Sequence, residues 1–314
     1  MLNVKPGPTT TTKAKTAINP GNTAPLLDFL PVAPCGAYAL RLLRSAHVGP
    51  STGNQEVCRL MIQTAPNQEA DFKCAADNIT LINAVTGDSI NDWLTAEGHN
   101  QNAGIYVKIY YNQAPDILNT GDMTGSGGYS NRIRHTSTTE NYVFGPYNRL
   151  IAHHWSAYYG GWMINPTNTL PTTNNAWFFA VQHNPGPPNT DSSVSLNANH
   201  NSYYTGRITA SSPAAHSANV GVTTLYKNKI LVAPQITADD LHVAYNIDDP
   251  HQQTLNIDTS IPQFNLIRWH GYGTSGGNGL NGAGFNCAEL IVYDVDASGV
   301  KLGIENNQME YYGI

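Results

Sequence analysis

Short runs of β-branched and aromatic residues, each cut off by a cluster of Gly, Pro, Asn or Asp, are the feature that most restricts what this chain can become. They recur as Ile105 to Tyr111, Ala176 to His183, Lys229 to Val232, Leu241 to Tyr245, Phe264 to His270 and Cys287 to Tyr293. Runs this short read as strands, because a helix needs about ten residues to bury a useful stripe. In the fifth run Phe264, Leu266 and Arg268 alternate with Asn265, Ile267 and Trp269, and neither set is wholly polar. A sheet covered on both faces produces that pattern. No stretch repeats at a period of about 20 to 50 residues, which argues against a propeller or solenoid. The expectation is one all-β sandwich.

At 314 residues the chain is long enough for two average domains, yet sandwiches reach this size as one. Charged residues make up 12%, about half the usual share, so much of the surface is neutral and polar. A net charge of -6 gives no basis for binding nucleic acid, which calls for clustered Lys and Arg. No apolar run approaches the ~20 residues that span a bilayer, and the first thirty residues lack the apolar core of a secretory signal. Cys35, Cys58, Cys74 and Cys287 lie far apart with no metal-ligand spacing. Four buried free thiols, no metal and no cofactor are expected. The sequon at Asn78-Ile79-Thr80 matters only in a secreted eukaryotic protein and carries no weight.

Residues 1–28 hold Pro6, Pro8, a run from Thr9 to Thr12, Lys13, Lys15 and Pro20, with almost no large apolar side chain. Such a segment cannot bury enough surface to fold alone, so it is expected to be an extended arm that orders on another chain. Residues 29–314 then form the body. Three short helices are expected within it: Pro34 to Ser45, a second over Ser89 to Leu94 capped by Asp88, and a third from Ser298 to about Tyr312.

Three segments carry a resemblance. Ala37-Tyr38-Ala39-Leu40-Arg41-Leu42-Leu43-Arg44-Ser45-Ala46, followed by Gly49-Pro50, is similar to the opening of the concanavalin A-like (LamG-like) jelly rolls of bacteriophage virion proteins and of the arabinofuranosidase B catalytic domain. Tyr106-Val107-Lys108-Ile109-Tyr110-Tyr111-Asn112-Gln113 resembles a second motif of that group, with Asn112 where Asp is usual. Gly284-Phe285, Ala288 to Asp294, Gly303-Ile304-Glu305 and Tyr311-Tyr312-Gly313-Ile314 are similar to its closing strand and helix. The resemblance implies a jelly roll for the body that follows the arm. It also implies a non-enzymatic virion structural protein, a capsid decoration or a tail- or fibre-associated component, oligomeric in the particle. Its partners would be other virion proteins, reached through the arm, and surface glycans. The alternative is a carbohydrate-binding module or an arabinofuranosidase-type hydrolase.

Glycoside hydrolysis needs two facing carboxyl groups, about 5 Å apart for retention and further for inversion. Asp294 and Asp296 read as turn residues, Asp248 and Asp249 as a loop, and Asp71, Asp122, Glu140 and Asp240 are left as acids without an assigned role. No two cysteines are neighbours, so the paired-cysteine motif that accompanies the arabinofuranosidase site is missing and no catalytic residue is assigned. His153-His154 offers no metal pair, since adjacent strand residues face opposite ways. Binding candidates are the aromatic residues Trp155, Tyr158, Tyr159, Trp162, Tyr203, Tyr204, Trp269 and Tyr272, because such rings stack on sugars and anchor interfaces.

Overall fold

The computed structural model describes residues 24–62, 65–100, 103, 105–115, 121–126, 131–133, 152–154, 161–164, 170–171, 176–183, 191–195, 221–233, 251–258, 263–264, 268–272 and 285–314. Residues 1–23 of the expected arm, Leu241 to Tyr245 and the loop at Asp248-Asp249 lie outside this set. Residues 24–28 belong to the body: Leu26 and Leu27, in the 3-10 turn Leu26–Phe29, are buried in the core, and Asp28 accepts from the Ser45 N–H.

The fold is mostly β, as in a β-sandwich. Strands β1 (Gly36–Ala39), β2 (Glu56–Ile62), β3 (Ala65–Cys74), β4 (Leu81–Asn83), β5 (Ile105–Tyr110) and β6 (Met123–Ser126) form the first part of the chain. Strands β7 (Asn131–Ile133), β8 (Ala152–His154), β9 (Gly161–Ile164), β10 (Leu170–Pro171), β11 (Ala176–His183) and β12 (Asp191–Ser195) follow. The last are β13 (Gly221–Lys227), β14 (Ile230–Ala233), β15 (His251–Asp258), β16 (Gln263–Phe264), β17 (Arg268–Tyr272) and β18 (Phe285–Tyr293). Among the described residues, sixteen strands join in one antiparallel system with the path β12-β17-β9-β6-β5-β7-β8-β18-β11-β15-β13-β14. Strand β2 joins it through β5, and β10 and β16 pair apart from it.

Strand β18 holds this system together. Its apolar run is paired on one side with β11 (Phe179 opposite Ile291) and on the other with β1 (Ala37 opposite Ile291) and β8. Burial on both faces explains why Ala288 and Leu290 to Tyr293 read as one continuous apolar stretch. Around them Phe179 meets Tyr293 edge-on at 5.9 Å and stacks on Trp177 at 6.2 Å, within aromatic-pair range.

The expected helix over Pro34 to Ser45 is corrected to strand β1 and irregular chain. A fully buried four-residue run has no helical period, and its backbone is claimed by β18 and by the Asn112 side chain, which accepts from Ala37 N–H at 3.0 Å. The second helix exists as α1 (Ile90–Ala96), but its cap is Ser89, whose hydroxyl accepts from Asp92 N–H, and not Asp88. Trp93 of α1 packs edge-on against Phe72 of β3 at 5.3 Å. The third is α2 (Lys301–Tyr312), closed by Gly313 at φ 71°. The run Phe264 to His270 is broken into β16 and β17, while β2, β3 and β15 were not among the expected strands.

Beneath α2 the core is polar. The Arg41 guanidinium, 1% exposed, donates to Glu289 through Nε (2.6 Å) and Nη2 (2.9 Å), and Nη2 also reaches Asn307 at 2.7 Å. Gln308 (3.1 Å) and Tyr312 (3.3 Å) also donate to the Glu289 carboxylate. The Tyr311 ring covers the Arg41 cation, 4.2 Å from its Cζ. Burial alone would favour a neutral Arg41, but Glu289 outweighs it and holds the charge more firmly than in water. Gln113 locks the chain on either side of Arg41, accepting from Leu43 N–H at 2.7 Å and donating to the Arg41 carbonyl at 2.9 Å.

Removing one member of a buried, hydrogen-bonded ion pair strands the other. Arg41→Ala should therefore lower stability by about 3–5 kcal/mol, read as a lower denaturant midpoint at unchanged slope. Joint replacement Arg41→Met with Glu289→Leu should recover a large part of that loss. A double variant as unstable as the single one would assign the cost to lost packing.

Candidate functional site

Beyond the buried network, four neighbouring strands bring a second polar group to the outer side of the sheet. In β2 the residues alternate, with Val57, Cys58, Leu60 and Ile62 buried and Arg59 and Met61 partly exposed. The register sets Arg59 opposite Asp71 of β3 and opposite Ile109 of β5. Arg59 grips Asp71 as a fork, Nε to Oδ1 at 2.8 Å and Nη2 to Oδ2 at 2.9 Å, with side chains 29% and 9% exposed. Nη2 also donates to Ser51 Oγ at 2.7 Å. The Tyr111 hydroxyl, just past β5, donates to Asp71 Oδ1.

The Arg59 charge also acts on Asp122, at the entry to β6. Asp122 Oδ1 accepts from Asn112 N–H at 2.8 Å, and the preceding Gly121, at φ 60°, gives its carbonyl to the Tyr38 hydroxyl at 2.9 Å. This positive φ is one that glycine takes without strain.

The two carboxyl groups are shifted in opposite directions. Burial pushes Asp71 up, but hydrogen bonds from Arg59, Tyr111 and Ser51 outweigh it and hold the carboxyl below the usual range. Burial also pushes Asp122 up, and there the Asn112 N–H and the Arg59 charge only partly offset it, leaving the carboxyl above the usual range. The Tyr111 hydroxyl is raised by burial and by the adjoining Asp71. Asp71 is therefore a fixed anion. Asp122 is a partly desolvated acid with one oxygen committed.

Of the four acids without an assigned role in the sequence, Asp71 is bonded to the Arg59 guanidinium and Asp122 feels its charge without touching it, while Glu140 and Asp240 lie outside the described residues. Among the aromatic candidates, the register sets Trp162 of β9 opposite Trp269 of β17, and Tyr272 opposite Asp191. Trp155, Tyr158, Tyr159, Tyr203 and Tyr204 lie outside the described residues. Asn78 of the sequon is 5% exposed and clamps Leu42 with both side-chain atoms, so it has a structural role. Cys35, Cys58 and Cys74 form no disulfide; burial pushes Cys58 well up and Cys74 up to about 12, which makes both poor nucleophiles. The described residues hold no group of three or more His, Cys, Asp or Glu suited to a metal, and no helix among them is long and apolar enough to cross a membrane. Sequence reading missed Arg59, Ser51 and Tyr111. The signal was the period-two spacing of Glu69, Asp71 and Lys73 beside Arg59 and Met61.

No protein-family model and no curated protein matches the chain. Solved structures of arabinofuranosidases do. A variant GH54 α-L-arabinofuranosidase soaked with 4-nitrophenyl α-L-arabinofuranoside shares 11% identity, with a TM-score of 0.42 over 89% of this chain and 63% of that one. An arabinofuranosidase complexed with arabinofuranosyl-α-1,2-xylobiose shares 14%, with a TM-score of 0.42 over 93% and 65%. The chain thus spans 63% to 65% of the length of these proteins. These matches correct the expectation of a virion structural protein, since the solved structures are those of arabinofuranosidases. The physical reason is that the three segments behind that expectation supply Arg41, Gln113 and Glu289. These residues build the fold and carry no information about what it is used for.

Asp71 is depressed, so its contribution to stability is complete above the unfolded-state value, near pH 3.9, and is lost as pH falls through the lower folded value. Asp71→Asn should cost about 1–2 kcal/mol at pH 7, below the loss for a fully buried pair because Arg59 is partly in water. It should also flatten the fall in stability below pH 4. Denaturant titrations at pH 7 and pH 3 measure both; an equal loss at the two values would contradict the assignment.

Proposed function

We propose that this chain is a carbohydrate-binding β-sandwich of the concanavalin A-like jelly-roll kind, which holds its ligand without hydrolysing it. The observation behind this reading is the row Ser51, Arg59, Asp71, Tyr111 and Asp122. Fixed donors and acceptors on paired strands are ordered before a ligand arrives, so little side-chain freedom is lost on binding. The register that brings Trp162 and Trp269 together adds an aromatic position to the same antiparallel system, and we take these residues as secondary contacts.

The same geometry favours binding over catalysis. A glycosidase needs one carboxyl group as acid and a second as nucleophile or base. Asp122 suits the first role. Asp71 is unsuited to the second, because Arg59 and Tyr111 occupy both its oxygens and keep it weakly basic.

Screening the full chain against an array of polysaccharides should show retention that drops at least tenfold in Arg59→Ala. Chromogenic glycosides should show no turnover with the same protein. Turnover abolished by Asp71→Ala or Asp122→Ala in a folded variant would replace this reading with a hydrolase.

A further inference from the structure

The row on β2, β3 and β5 also indicates which kind of glycan it can take. Within the protein, Arg59 spends Nε and Nη2 on Asp71 and Ser51, which leaves the two N–H groups of Nη1 for a ligand. Asp122 gives Oδ1 to Asn112 N–H and has Oδ2 left as an acceptor. A free donor and a free acceptor thus flank Tyr111 and Asn112, both fixed by backbone-anchored bonds. The charge balance is set as well. The single guanidinium is matched by Asp71, held ionised, and Asp122 adds negative charge whenever it ionises. Of the other nearby cations, Lys108 is paired with Glu69, and Lys73, two residues from Asp71 on the same face of β3, lies opposite Glu56 in the register. Arg59, Lys73 and Lys108 are matched in number by Asp71, Glu69 and an ionised Asp122, so an anionic ligand would find no net positive charge here and would meet the Asp122 carboxylate beside the Arg59 donor, an arrangement that penalises like charge.

We infer that the site takes an uncharged glycan through neighbouring hydroxyl groups, one accepting from Arg59 Nη1 and one donating to Asp122 Oδ2, and that it rejects uronic-acid and sulfated glycans. This rests on the carbohydrate-binding reading above and adds the class of ligand to it. Arg59→Lys preserves the charge but removes the fork, so it separates hydrogen-bond geometry from electrostatics.

The test is equilibrium binding of the full chain, at low ionic strength, to matched pairs: galactan against polygalacturonate and dextran against dextran sulfate, extended to an array of neutral and acidic polysaccharides. The neutral member of any pair that binds should win by at least tenfold. Arg59→Lys should weaken that binding at least tenfold, and Asp122→Lys should shift preference toward the acidic member. Circular dichroism of each variant establishes that it is folded. Tighter binding of acidic members, or neutral binding untouched by both folded variants, would overturn the inference while leaving carbohydrate binding intact. Absence of binding to every polysaccharide on the array would overturn both.

Discussion

The ion pair between Arg41 and Glu289 is the constraint on which the rest of this fold depends. A guanidinium and a carboxylate removed from water are tolerated only when their geometry is good and their remaining donors and acceptors are met. Here Asn307, Gln308, Tyr311 and Tyr312 from the closing helix meet most of that requirement, leaving Arg41 Nη1 buried without a hydrogen-bond partner, while Gln113, just beyond β5, holds the backbone beside Arg41. The docking face of α2 is consequently polar: Glu305 accepts from Thr254, and Gln308 accepts from Gln252, all four buried. An apolar face would tolerate sliding. A polar one fixes register, because a shifted helix would leave buried groups without partners.

The buried network and the outer row are joined at consecutive residues. Tyr111 reaches outward to Asp71, Asn112 holds β1 and the Asp122 loop, and Gln113 holds the backbone beside Arg41. The outer row therefore inherits its rigidity from the core. Gly49 shows how closely the adjoining loop is fitted: a methyl group there would collide with the fully buried Glu56 carboxylate. Thr52 donates to that carboxylate through N–H at 2.7 Å.

Much of the fold was legible from the sequence, and the reasons differ by element. The run from Ala288 to Tyr293 reads as a central strand because it is apolar at every position but Glu289, and β11 matches its expected bounds. Residues 37–39 misled because a short apolar run has no period, so strand and helix look alike until a partner strand is known. The third helix was foreseen, though its buried face carries Glu305, Asn307 and Gln308, which hydrophobic spacing alone would place in water. The site was legible only in part. Asp71 and Asp122 stand out as acids without a turn or cap to explain them, but the bond of Asp71 to Arg59 and the approach of Asp122 to the same charge depend on the pairing of β3, β2, β5 and β6, a register no local pattern encodes.

The separation of a buried frame from the outer row proposed to bind can be measured in one experiment. Backbone amide chemical shifts recorded while the full chain is titrated with a neutral polysaccharide fragment report which residues feel the ligand. The structure predicts saturable shifts at Ser51, Arg59, Asp71, Tyr111 and Asp122, with Arg41, Glu289 and Gln308 unmoved. Saturable shifts confined to other parts of the chain, with the Arg59 row silent, would contradict it.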